Sequence, residues 1–145
     1  MVGADIWRLS LLEKKRKVDI TMPGNKAFGN RIRGLREEKR KTDPSFSLRQ
    51  FAEKVGISPT FLCKVETGEF DPPSAENIKR MANLLDCDAD ELLALAGKVD
   101  PALSDIIKDK PKVLADFLRV ASGRSEAEIR RLTEQMLKKD EVKEK

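Results

Sequence analysis

Apolar residues recur every three to four positions along most of this chain, and polar caps and helix breakers divide them into short segments. Phe28, Ile32 and Leu35 fall at i, i+4 and i+7 and predict a helix from Phe28 to Lys41. Pro44 ends it, because proline disfavours helix in the residue before it. Ser47 opens a second helix with the capping pattern S-x-x-Q, and Leu48, Phe51, Ala52 and Val55 share one face. Gly56 can adopt the left-handed conformation that ends a helix. Ser58 caps a third segment, Ser58 to Thr67, with Pro59 at the first helical position and Leu62 and Val65 facing inward. Gly68 stops it, and the rigid connector DPPS leads to a fourth helix from Ser74 to Leu85 with the stripe Ile78, Met81, Ala82 and Leu85. A fifth opens on Asp88 with D-x-x-E and runs through Leu92, Leu93 and Leu95 to Gly97.

No strand-like alternation interrupts this series, so the fold class is all-α: a five-helix domain followed by a helical extension. The extension repeats the style. Pro101 to Lys108 carries Leu103, Ile106 and Ile107, and Pro111 to Ser122 carries Val113, Leu114, Phe117 and Leu118. Ser125 with Glu128 opens a last helix bearing Ile129, Leu132, Met136 and Leu137, expected to fray after Lys139. Residues 1–27 lack periodicity and read as a mobile arm, with Met22 a second candidate start. The organisation is therefore an arm of residues 1–27, a domain of residues 28–97 and an extension of residues 98–145.

Composition narrows the function classes. With 37% charged and 39% hydrophobic residues the chain suits a modest core, and no apolar run approaches the roughly 20 residues that span a bilayer. Two cysteines, Cys63 and Cys87, and no histidine make a disulfide framework unnecessary and a metal site poor. A cytoplasmic location with no cofactor and no metal is the expectation. No nucleophile–base pair and no Gly-rich phosphate loop is visible, which argues against an enzyme. Charge is unevenly spread: residues 1–69 hold 15 basic and 9 acidic groups, whereas residues 70–97 hold 2 and 6. That asymmetry suits one face turned to a polyanion. In the arm, KKRKV from Lys14 to Val18 reads as a solvated charge run, ahead of a phosphate-tracking arm or a nuclear-import signal.

The second and third helices, joined tightly at Gly56, match the helix-turn-helix arrangement, in which one helix braces the duplex backbone while the next enters the major groove. The segments RIRGLRE, SLRQFAEKVGIS, FLCKVETGE and PPSAENIKRMANLLDCDADELL resemble the Cro and phage-repressor type of helix-turn-helix regulators, in order and spacing, over about residues 28–97. The resemblance implies that the start of the third helix reads bases, here Pro59, Thr60, Phe61 and Lys64. Thymine methyls would meet Thr60 or Phe61, and guanine O6 or N7 would meet Lys64. It implies backbone contacts from Ser47, Arg49 and Ser58 at the positive ends of the two helices. It also aligns Arg36 and Glu66 with an arginine–glutamate pair that links the first and third helices. Two positions depart from the pattern. Leu48 stands where many members have a phosphate-contacting glutamine, and the connector holds Glu69 and Asp71 where phage repressors are often basic.

The function expected on this basis is a sequence-specific DNA-binding transcriptional regulator, a repressor binding a palindromic operator as a homodimer, with double-stranded DNA as partner. The alternative is a protein-interaction module, coactivator-like or antitoxin-like, built on the same helices. The extension is too small for a separate ligand-binding domain. Its apolar stripes either fold back on the domain or pair with a second copy, and dimerisation is the favoured expectation.

Overall fold

A computed structural model describes residues 24–143, which form eight α-helices and one 3-10 turn with no strand among the described residues. They are α1 (Lys26–Arg40), a 3-10 turn (Pro44–Phe46), α2 (Leu48–Val55), α3 (Pro59–Glu66), α4 (Ala75–Leu84), α5 (Ala89–Leu95), α6 (Pro101–Asp109), α7 (Pro111–Ala121) and α8 (Glu126–Lys143). The chain is all-α. None of the described helices is long and apolar enough to cross a membrane. The basic run Lys14 to Val18 and most of the expected arm lie outside the described residues.

The chain divides into two compact units, the first ending at Asp100 and the second beginning at Pro101. In the first, each helix contributes its periodic stripe to one core: Phe28 and Ile32 from α1, Phe51, Ala52 and Val55 from α2, Leu62 and Val65 from α3, Ile78 and Met81 from α4, Leu92 and Leu93 from α5. Phe46 of the 3-10 turn joins them, its ring stacked 6.0 Å from Phe51. Each fully buried side chain of this size contributes about 1.5–3 kcal/mol relative to exposure.

The helix starts are capped as their sequences require. The Ser47, Ser58 and Ser74 hydroxyls accept from the amides of Gln50, Phe61 and Asn77, and the Asp88 carboxylate accepts from Glu91 N–H. One cap escapes the periodicity. Asn25 accepts from Phe28 N–H at 2.9 Å, so α1 starts two residues before Phe28, and the Asn25 side-chain amide donates to the Leu95 carbonyl at 2.8 Å.

Helix α1 crosses the C-terminal end of α3 at very close range. A Cβ placed on Gly29 would lie 2.3 Å from the Val65 carbonyl oxygen and 2.7 Å from that of Glu66, so only glycine permits this approach. On the same helix Gly34 is exposed, and a Cβ there would meet nothing within 4 Å.

In the second unit α8 opens on a reciprocal capping box: Ser125 N–H donates to the Glu128 carboxylate at 3.0 Å and Glu128 N–H to the Ser125 hydroxyl at 3.2 Å. The helix continues to Lys143, past Lys139, the expected onset of fraying, carried by the helix-favouring Lys138, Lys139, Glu141 and Lys143. No described residue of the second unit is buried. Phe117, Leu118, Leu132 and Met136 remain 45–58% exposed, and α7 and α8 together line an apolar cleft of about 330 Å³ with Phe117, Val120, Ile129 and Leu132.

Candidate nucleic-acid interface

Helices α2 and α3 are joined by a turn of three residues. Gly56 has φ 93°, a value that costs glycine nothing, and its N–H and that of Ile57 both donate to the Ala52 carbonyl at 2.9 and 3.0 Å. The Arg80 guanidinium reaches across from α4 to the Val55 carbonyl at 3.4 Å, satisfying another acceptor at the end of α2. Ser58 then caps α3, whose first position is Pro59, the one residue with no amide to leave unpaired.

What α3 hides and what it shows are sharply divided. Leu62 and Val65 are fully buried and Glu66 is 5% exposed, while Thr60, Cys63 and Thr67 are exposed and Pro59, Phe61 and Lys64 lie between. Phe61 divides its ring between the core and Phe70. Of the residues assigned to the duplex backbone, Ser47 and Ser58 stand at the starts of α2 and α3, where first-turn amides lack intrahelical partners. Arg49 is well exposed on α2, with Glu53 one turn on at 3.8 Å. Leu48 is partly buried and packs against the core.

The orientation of α3 is set from below by Arg36. Its Nε donates to Glu66 Oε1 at 2.7 Å and an Nη to Oε2 at 3.1 Å, a two-pronged arrangement with both side chains buried. A further Nη donates to the Phe46 carbonyl at 3.1 Å, and Glu37 provides a second carboxylate at 3.2 Å. Burial by itself would lower the Arg36 pKa, but the hydrogen bonds to Glu66 and Glu37 and their negative charges together outweigh that effect and raise it above the ordinary arginine value. Arg36 thus clamps α1, α3 and the 3-10 turn together through one permanently charged group.

Phe70 was given no role by sequence. It sits in the connector after α3, 42% exposed, its ring 5.9 Å from that of Phe61, and the Lys64 ammonium lies over it at 4.8 Å. The available signal was a lone aromatic inside an acidic, proline-rich connector. Cys63 is exposed and free, and burial pushes the Cys87 thiol up. No group of three or more metal-ligating side chains exists among the described residues.

Residues 27–95 match the family model described as a helix-turn-helix domain. No curated protein matches the chain. Among solved structures, the clp gene regulator ClgR from Corynebacterium glutamicum is 24% identical, with 69% of this chain and 95% of that one covered at a TM-score of 0.41. A chain from a complex of the SinR and SinI proteins is 26% identical, with 78% of this chain and 98% of that one covered at a TM-score of 0.40. The family match and the tight turn between α2 and α3 make residues 27–95 a helix-turn-helix domain, the unit with which DNA-binding transcription regulators carry out recognition.

Proposed function

We propose that the protein is a transcriptional repressor that binds a palindromic operator as a homodimer, reading bases with α3. The observation that carries this reading is the division of α3. Its inner face is locked by Leu62, Val65 and the Arg36–Glu66 fork, and its outer face offers Thr60, Cys63, Lys64 and Thr67. A helix held this firmly and left this bare on one side suits the major groove, which is about the width of a helix. In this reading Pro59, Thr60, Phe61 and Lys64 form the reading end, with Lys64 the donor to guanine. Ser47, Arg49 and Ser58 meet phosphates.

The sign of regulation follows from the resemblance to Cro and phage-repressor regulators, whose dimers occupy their operators. Dimerisation is supported by the second unit, whose amphipathic helices bury no described side chain among themselves. Apolar surface of that kind calls for a cover, and a second copy supplies one with matching chemistry.

Footprinting on the gene's own upstream region tests the proposal. Protection is expected at two half-sites on one face of the duplex, about 34 Å or a multiple apart. Binding that is salt-sensitive but blind to sequence would overturn it and favour the protein-interaction reading, to which Leu48 and the acidic residues Glu69 and Asp71 lend support.

A further inference from the structure

We infer that Phe70 is a positioning residue for base reading, its ring holding the Lys64 ammonium against the recognition face. This rests on the reading of α3 as the recognition helix.

The backbone brings the two residues together first. Gly68, at φ 81°, turns the chain back beneath the end of α3, and the amides of Glu69 and Phe70 both donate to the Lys64 carbonyl at 2.9 and 3.1 Å. Phe70 is therefore tied by its own N–H to the residue whose side chain it meets. Its ring is then anchored on Phe61, with centroids 5.9 Å apart and planes inclined at 47°, within the contact range of aromatic pairs. Phe61 packs on the core in turn, so the ring is a continuation of the folded body.

Over this platform stands Lys64, whose Nζ lies 4.8 Å from the ring centre, inside the ~6 Å range of a cation–π contact. Glu69 and Asp71 flank Phe70 in the chain, yet it is the ring that the Lys64 ammonium meets among the described residues. The difference matters chemically. A carboxylate would have to surrender the ammonium before a guanine edge could take it. A ring face holds the charge without a carboxylate's hydrogen bonds, leaving the N–H donors on the far side of the ammonium available. The four-carbon stem is also ordered before DNA arrives, which lowers the entropy lost on binding.

The test uses the full chain and a random-sequence duplex library as probe, enriched on wild type, Phe70→Leu, Phe70→Tyr and Lys64→Met, with the enriched pools sequenced. Leucine keeps apolar bulk against Phe61 and removes the ring; tyrosine keeps both. Wild type is expected to enrich a motif in which one position loses its preference in Lys64→Met. Phe70→Leu should lower discrimination at that same position by about two- to five-fold, the effect of one exposed cation–π contact, and leave other positions unchanged. Phe70→Tyr should retain it. In the free protein, proton NMR should show the Lys64 ε-methylene signals shifted upfield by the ring in wild type and in Phe70→Tyr, and unshifted in Phe70→Leu. A motif indifferent to Phe70→Leu, or weakened equally at every position, overturns this inference alone. So does loss of the helical circular dichroism signal in Phe70→Leu, which would make the ring structural. A wild-type chain that enriches no motif overturns the recognition reading and this inference with it.

Discussion

The two glycines of α1 should respond to alanine with opposite signs. Alanine is favoured over glycine inside a helix by about 1 kcal/mol, because glycine loses more backbone freedom on folding. At Gly34 that gain is unopposed, since a methyl group there meets nothing within 4 Å. Gly34→Ala should therefore stabilise the domain by roughly 0.5–1 kcal/mol. At Gly29 the same gain is set against a collision. The new Cβ would lie 2.3 Å from the Val65 carbonyl oxygen and within 3 Å of the Glu66 carbonyl, where ordinary contacts begin near 3.4 Å. All these atoms are backbone, so α1 and α3 must part by about an ångström, loosening contacts along the whole crossing. Overpacking of this kind costs about 1–3 kcal/mol, and here the upper part applies because nothing flexible can give way. The net expectation for Gly29→Ala is a loss of about 1–2 kcal/mol after the helix gain is subtracted. Urea unfolding followed by circular dichroism measures both at one fixed chain concentration, which removes any contribution from association. Midpoints that move in the same direction for the two variants would refute the close crossing and, with it, the account of how α3 is seated.

The Arg36–Glu66 fork makes a second prediction: Arg36→Ala, which leaves a buried carboxylate alone, should cost about 3–5 kcal/mol. Glu66→Ala should sit at or below the lower end of that range, since Arg36 keeps the Phe46 carbonyl and Glu37, and the double variant should cost less than the sum by about 0.5–3 kcal/mol. Strictly additive unfolding energies would show that the two act separately. A third concerns acid. Hydrogen bonds from Ser45 hold the Asp43 carboxyl below its ordinary value, so its contribution to stability is present above about pH 4 and is lost as pH falls through the lower folded value. Asp43→Asn should flatten that part of the acid decline in melting temperature, and identical pH profiles for the two chains would count against the cap. A fourth truncates the chain after Asp100. Light scattering should then report a monomer that retains its helical signal, and a dimer of the shortened chain would place the interface before Pro101.

Most of the helical order was legible because it is written in local chemistry. Ser47, Ser58, Ser74 and Asp88 each stand where a first turn needs an acceptor, and the apolar stripes of α1 to α5 point to the core they form. What escaped depends on distant partners. Phe46 lies in a turn of three residues, too short to show any period, and its burial comes from stacking on Phe51 beneath Lys39 and Lys54. Asn25 looked like loop because its second bond reaches Leu95, 70 positions away in sequence. Gly29 gives no sign in sequence of the carbonyl it accommodates. Phe70 belongs to the site only because Gly68 turns the chain back under Lys64, so a connector became part of a surface that periodicity had confined to α3.

The split character of α3 has a consequence for how this protein can change over evolutionary time. Thr60, Cys63 and Thr67 are exposed and make no contribution to the apolar core, so substitutions there fall in the class that alters stability by less than about 0.5 kcal/mol. The positions that hold the helix in place, Gly29, Arg36 and Glu66, are those where substitution is expected to cost most stability. If α3 reads bases as proposed, mutation on its exposed face can alter sequence preference while the platform that presents it stays constant. A library randomised at residues 60, 63 and 67 should yield mostly folded proteins of differing preference, the behaviour expected of a scaffold whose descendants diverge in target before they diverge in shape.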